Sequence, residues 1–165
     1  MQKLKIAVFT DSFFPAGGGT EQATYNLCKN LKELGHEILL FAPDYHRAQD
    51  FNEFEVVRIK SIKLSKNDMA VLCKLEYKKI LKISKNFNPD IIYYCTASGM
   101  AKCAIKVAKK LNKPIVATIH TKFKEAFYNS SHSKLITNLL IGSLVRKLNR
   151  TNKIITVSDD MASQL

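Results

Sequence analysis

The chain of 165 residues has the length of one globular domain and is long enough to bury a hydrophobic core. Its hydrophobic fraction of 46% and charged fraction of 24% are ordinary for a soluble protein, and no apolar run approaches the ~18 residues of a membrane span. The net charge of +12 indicates either a negatively charged partner or a lysine-rich surface. Only four of the 26 basic residues are arginine, so we expect no nucleic-acid partner.

Strand-like and helix-like patterns alternate along the chain. The predicted strands span residues 5–10, 36–42, 55–59, 91–95, 115–119 and 153–157. The predicted helices span residues 21–34, 66–87, 98–111 and 133–150, and another opens at Ser158. Gly35, Asn88 and Asn112 follow three of these helices and are typical of helix ends. Strands that alternate with helices in this way predict a doubly wound α/β sandwich around a parallel sheet.

The first strand begins close to Met1 without a secretory signal, and we therefore expect a cytoplasmic protein. The cysteines form no C-x-x-C pair and fall on or beside apolar positions, which predicts buried, reduced thiols and no metal site. They are Cys28, Cys73, Cys95 and Cys103.

A glycine run separates the first strand from the first helix. It consists of Gly17, Gly18 and Gly19. Glycines allow positive φ and close approach of a ligand, and the N-terminus of the following helix favours an anion such as a diphosphate. The dinucleotide pattern G-x-G-x-x-G fails at Gln22, and a P-loop fails because Thr20-Glu21 replaces Gly-Lys-Ser/Thr. The run therefore predicts a phosphate-binding loop of another kind, with a simple flexible turn as the alternative.

Other candidate residues follow the strands. His120 comes directly after the strand 115–119, at the edge where open α/β sheets bind ligands, and is either a ligand contact or a turn residue. Asp11 follows the first strand and either contacts a ligand or binds loop amides. Segment 121–128 interleaves lysines with aromatic residues. It predicts either an acceptor or lipid contact, or a helix that packs Phe123 and Phe127 inward.

Taken in order, these segments resemble the N-terminal half of retaining glycosyltransferases of family 4. The resemblance is carried by residues 6–15, 17–21, 34–38, 114–121 and 154–158. It implies one Rossmann-like half of a GT-B architecture, in which residues 1–165 form the acceptor-binding domain and the C-terminal donor-binding domain lies outside the chain. We expect the chain alone not to catalyse transfer.

The resemblance also implies functional residues and partners. His120 would be the catalytic cleft histidine, and the three glycines would approach the donor diphosphate. Asp11, Glu21 and the run Thr121, Lys122 and Phe123 would bind the acceptor. The partners would be a nucleotide-sugar, a lipid or saccharide acceptor, the protein's own C-terminal domain and an anionic membrane surface, placing the protein peripherally at the inner face of the membrane. We expect no cofactor and no metal, because the sequence contains no Asp-x-Asp pair.

Two other functions fit the same pattern. A nucleotide-sugar 2-epimerase shares the two-domain architecture but requires acid/base carboxylates, and few besides Asp11 and Glu21 are available here. A free-standing flavodoxin-like binding module would need no second domain.

Overall fold

The computed structural model describes residues 2–14, 18–45, 51–63, 69–70, 73–96, 99–120 and 123–162. The strands are β1 Lys5–Phe9, β2 Glu37–Pro43, β3 Glu55–Ile59, β4 Ile62–Lys63, β5 Met69–Ala70, β6 Ile91–Tyr94, β7 Ile115–Ile119 and β8 Lys153–Thr156. The helices are α1 Gly19–Glu33, α2 Cys73–Phe87, α3 Gly99–Leu111, α4 Phe123–Ser131, α5 Lys134–Leu148 and α6 Asp159–Ala162.

Six strands form one parallel sheet in the order β3-β2-β1-β6-β7-β8. The doubly wound α/β fold predicted from the sequence is therefore confirmed. Strand β1 pairs with β2 on one side, where Ile6 faces Ile38, and with β6 on the other, where Val8 faces Tyr93. The chain order reverses between β1 and β6, and ligands of open α/β sheets bind at the carboxyl ends of strands beside such a reversal.

Hydrophobic residues cover both faces of the sheet because successive strand side chains point in opposite directions. On β1, Ala7 and Phe9 face a core formed with helices α2, α3 and α5. Ile6 and Val8 face a second core, to which α1 contributes Cys28. All four of these β1 side chains are buried, which explains the continuous apolar run in the sequence.

The predicted helix ends are confirmed at three positions. Gly35 has φ +90 after α1, and Asn88 and Asn112 adopt φ values of 51 and 52 after α2 and α3. Glycine and asparagine are the residues that most readily adopt this left-handed conformation. Each helix is thereby turned back toward the amino end of the next strand.

One expectation from the sequence needs correction. The predicted helix 66–87 begins only at Cys73, because Met69–Ala70 pairs antiparallel with Ile62–Lys63 in a two-stranded sheet. In helix α5, Leu135 and Leu139 are 72% and 63% exposed, whereas Leu144 and Leu148 are buried. The first half of α5 therefore presents apolar side chains to solvent.

Candidate functional site

Asp11 connects the ends of two neighbouring strands at the point where strand order reverses. Its Oδ2 accepts a hydrogen bond of 2.7 Å from the hydroxyl of Thr96, just after β6, and its Oδ1 accepts one of 2.8 Å from the backbone N–H of Met100 in α3. The backbone N–H of Asp11 donates to the same threonine hydroxyl. This carboxylate thus acts as a cap for the first turn of α3, where backbone N–H groups lack partners within the helix. The assignment of Asp11 to the acceptor stays a prediction.

The glycine loop leads into α1, and the carboxylate of Glu21 lies beside Gly18 in this loop. Glu21 lies in the first turn of α1, is 8% exposed, and accepts a hydrogen bond from the hydroxyl of Ser12. Its Oε2 lies 2.6 Å from where a Cβ on Gly18 would stand. Ser12 and Glu21 therefore tie the end of β1 to the start of α1 across the loop. Whether Glu21 binds the acceptor stays a prediction.

The expected positive φ is wrong for the described glycines of this loop. Gly18 has φ −172, which is extended backbone open to any residue, and Gly19 is helical. What Gly19 provides is space, because a Cβ added there would meet nothing within 4 Å. A ligand can therefore approach the backbone at Gly19. Gly17 lies outside the described residues.

His120 lies at a pocket of about 270 Å³ on the α1 face of the sheet. Residue parity along β7 places Thr118 and His120 on this face, opposite the side chain of Ile119. Helix α1, the neighbouring strand β6 and the edge strand β8 complete the walls. The lining residues are Ala23, Thr24, Leu27, Tyr93, Cys95, Thr118, His120 and Ile155. The pocket therefore brings His120 together with the helix that follows the glycine loop.

Burial governs the electrostatics of this pocket. Desolvation lowers the pKa of His120 below its ordinary value of 6.5, so the imidazole is neutral near pH 7. A neutral imidazole carries one N–H donor and one acceptor nitrogen. Burial also raises the pKa of the Cys95 thiol, which contacts the hydroxyl of Thr24 at 3.3 Å. His120 can therefore donate or accept a hydrogen bond in the pocket without bringing a charge.

The structure adds polar residues that the sequence did not single out. Tyr93 and Thr118 share a buried hydroxyl–hydroxyl hydrogen bond in the floor of the pocket. Burial raises the pKa of the Tyr93 hydroxyl, so it stays protonated. The sequence could have indicated this pair, because Tyr93 and Thr118 lie on the same face of adjacent strands. Both residues, however, lie within otherwise hydrophobic strands and do not stand out.

The segment after His120 forms helix α4. Phe123, at its start, is half-buried against the main core and lies 5.4 Å from Phe127, measured between ring centroids. For Phe123 this is the inward packing that the sequence offered as one alternative, and Phe127 contacts Phe123. Thr121 and Lys122 lie outside the described residues. The acceptor-binding role given to these three residues stays a prediction.

The buried side chain of His36 has a structural role. The Nδ1 atom of His36 accepts a hydrogen bond of 3.1 Å from the backbone N–H of Leu4, which joins the entries of β1 and β2. Cys28, Cys95 and Cys103 are buried and are not joined in disulfides, as expected. The side chain of Cys73 lies outside the described part of the chain. In the described part of the chain, no helix is both long and apolar enough to cross a bilayer.

One family model matches most of the chain. Residues 17–165 match the family model described as Glycosyltransferase Family 4. The chain is 24% identical over 143 residues to an alpha-monoglucosyldiacylglycerol synthase of Streptococcus pneumoniae, a match that covers 87% of this chain and 32% of the relative. It is 27% identical to the enzyme of the same name from Acholeplasma laidlawii, over 81% of this chain and 33% of the relative. The chain therefore spans about a third of the length of these curated relatives.

A solved structure shows the same fold. The crystal structure of a glycosyltransferase from Rickettsia africae matches all of this chain and 39% of its own, with a TM-score of 0.57 and 21% identity. At this identity the likeness shows the fold alone: one Rossmann-like half of the GT-B architecture.

Proposed function

The chain belongs to Glycosyltransferase Family 4, and from that premise we propose that it forms the acceptor-binding half of a retaining transferase. The enzyme would move a sugar from a nucleotide-sugar donor to a lipid-linked or polysaccharide acceptor. The observation that carries the proposal is the pocket that joins His120 to helix α1 at the carboxyl edge of the sheet. The cleft of such an enzyme would open at this edge.

His120 in the pocket and the start of helix α1 would serve different parts of the reaction. The neutral imidazole of His120 would donate a hydrogen bond to a hydroxyl of the donor sugar near the carbon that is transferred. The backbone N–H groups at the start of α1, beside Gly19, would face the leaving diphosphate. Rate enhancement would come from positioning and from electrostatic stabilisation of the leaving group. We propose that no metal or other cofactor takes part, on the sequence ground that no Asp-x-Asp pair is present.

Two observations favour a lipid among the possible acceptors. Ala23, Leu27 and Ile155 give the wall of the pocket beside His120 a mostly apolar surface, which would suit an alkyl segment of the acceptor. Both relatives reported above are named as synthases of a glucosylated diacylglycerol. We therefore take a diacylglycerol as the first acceptor to test.

A peripheral position at the inner face of the membrane is part of the same proposal. The net charge of +12 favours an anionic surface. The first half of α5 exposes four apolar side chains, Leu135, Ile136, Leu139 and Leu140, which lie within two turns of the helix start. Apolar side chains on a basic protein suit the boundary between headgroups and acyl chains.

The test is a transfer assay on the protein at the full length that its gene encodes. Nucleotide-sugars are incubated with diacylglycerol in mixed micelles, and glycolipid is quantified by mass spectrometry. We expect His120→Ala to lower kcat about 100-fold, the effect of removing one transition-state donor. His132→Asn is the matched control, because His132 is exposed and asparagine tolerates its φ of 50. Equal rates for the wild type and His120→Ala would refute the assigned role of His120.

A further inference from the structure

A basic groove lies on the opposite side of the sheet from the His120 pocket, between helices α2, α3 and α5. Its volume is about 690 Å³. Among the described residues that line it, six are cationic and none is acidic. The cations are Lys74, Lys102, Lys106, Arg146, Lys147 and Arg150. Such clustering of one charge in a concave surface attracts anions.

Helix geometry explains how the cations converge. Lys102 and Lys106 are four residues apart on α3 and therefore share one helix face. Arg146 lies in the last turn of α5 and Arg150 just after its end, and both line the groove. Ala104 of α3 and Leu144 of α5 belong to the same buried core, so both helices pack on the same face of the sheet. The two pairs therefore stand on facing walls of one groove.

Lys147 is the least exposed of these six cations, and its pKa depends on the charges of its neighbours. It is half-buried, and its pKa is lowered by burial and further by the charges of Lys102 and Arg146. Asp11 is the carboxylate that opposes this effect. Asp11 accepts hydrogen bonds from Thr96 and Met100 and is not among the residues that line the groove. An anion bound in the groove would relieve the repulsion between the three cations.

The groove also offers apolar contact. Leu75 and Ile105 line it beside the cations, and Leu75 is 73% exposed. The ammonium group of Lys106 lies 5.4 Å from the centroid of the Tyr77 ring, which fixes this cation at the wall of α2. A simple inorganic anion would use the charges but leave the apolar side chains in water.

We propose that this groove binds a phosphate group that is carried by an apolar chain, the chemistry of an acidic phospholipid. The phosphate lies between the two lysines of α3 and the two arginines in and just after the last turn of α5, and the apolar chain covers Leu75 and Ile105. The site is separate from the His120 pocket and does not rest on the sugar-transfer proposal, because no sugar donor is involved in binding.

The test is calorimetric titration of the chain with three soluble probes: dihexanoyl phosphatidic acid below its micelle concentration, dihexanoylglycerol, and inorganic phosphate. We expect phosphatidic acid to bind at least tenfold more tightly than either of the other two. Equal affinity for inorganic phosphate, or equal affinity for dihexanoylglycerol, would overturn the proposal. The first result would reveal a site for free phosphate, and the second an apolar site.

Variants separate a built site from general charge. The triple variant Lys102→Gln, Arg146→Gln and Arg150→Gln should weaken binding at least tenfold. A control triple with the same charge change, Lys32→Gln, Lys85→Gln and Lys153→Gln, alters exposed lysines outside the groove and should weaken binding less than twofold. Ser143→Glu places one carboxylate in the lining and should reproduce the loss. Equal weakening by both triples, or wild-type affinity in Ser143→Glu, would contradict the assignment.

Discussion

The Oδ1 atom of Asp11 lies 2.8 Å from the backbone nitrogen of Met100, although the two residues are 89 positions apart. A residue at the end of β1 thereby caps helix α3, which follows β6. The contact fixes the two strand ends on either side of the chain reversal. It places a carboxylate at a helix N-terminus, where negative charge is favourable.

Removal of the Asp11 carboxylate should destabilise the fold. We expect Asp11→Ala to lower the free energy of unfolding by about 2 kcal/mol, because the N–H of Met100 and the hydroxyl of Thr96 both lose their acceptor. Asp11→Asn keeps an acceptor oxygen but loses the charge and should cost about 1 kcal/mol. Urea unfolding followed by circular dichroism measures both. A cost below about 0.5 kcal/mol for Asp11→Ala would show that the cap is not stabilising.

The two described loop glycines should respond differently to a methyl group. In Gly18→Ala the new Cβ would stand 2.6 Å from Oε2 of Glu21 and displace the carboxylate from Ser12, at a cost of about 1 kcal/mol. Gly19→Ala meets nothing within 4 Å and should be neutral or slightly stabilising, since alanine favours a helix. The same unfolding assay compares them. Equal destabilisation by both changes would mean that the position of Glu21 is not the cause.

The depressed pKa of His120 predicts a loss of stability in mild acid. In the unfolded chain His120 titrates near its ordinary value of 6.5, and in the folded chain below it. Between these two pKa values the unfolded state binds more protons, so the free energy of unfolding falls as the pH drops through that interval. Above pH 6.5 His120 is neutral in both states, so it no longer makes the free energy of unfolding depend on pH.

Imidazole proton shifts in an NMR titration report the pKa directly. His120→Gln, which binds no proton here, should lose this part of the pH dependence when urea unfolding is compared between pH 7.5 and 5.5. A folded-state midpoint at or above 6.5 would contradict the predicted burial effect.

Exposed leucines of α5 should contribute to vesicle binding if the protein acts at a membrane surface. Leu135→Ser with Leu139→Ser should lower the partition coefficient at least tenfold, since burying each leucine is worth about 2 kcal/mol. The control, Leu34→Ser with Ile62→Ser, removes two exposed apolar side chains elsewhere and should have little effect. Co-sedimentation with phosphatidylglycerol-containing vesicles measures the partition. A similar loss of vesicle binding in both variants would show that α5 is not the membrane contact.

The sequence predicted the sheet well because local signals mark its elements. Three helices end at Gly35, Asn88 and Asn112, and short, mostly apolar runs of four to seven residues lie outside the helices. Each of these runs forms a strand of the sheet. The position of His120 after such a run also predicted its place at the ligand edge. The short pairing of β4 with β5 was missed because two-residue strands carry no periodic pattern.

Contacts between residues far apart in the chain could not be predicted from the sequence. Nothing local shows that Asp11 will cap α3, because its partners are 85 and 89 residues away. The leucines of α5 recur at helical spacing, but this spacing does not say whether a leucine faces the core or solvent, and Leu135 faces solvent. The basic groove likewise depends on how α3 packs beside α5.

Proton NMR of the product formed by the protein at the full length that its gene encodes tests the central claim most directly. With an α-linked nucleotide-sugar of gluco or galacto configuration and diacylglycerol, we predict a glycolipid whose anomeric proton shows the small coupling to H2 that marks an α linkage. A β-linked product would contradict retention. Consumption of the donor to free sugar or to an epimer, with no glycolipid from any donor, would contradict the assignment as a transferase.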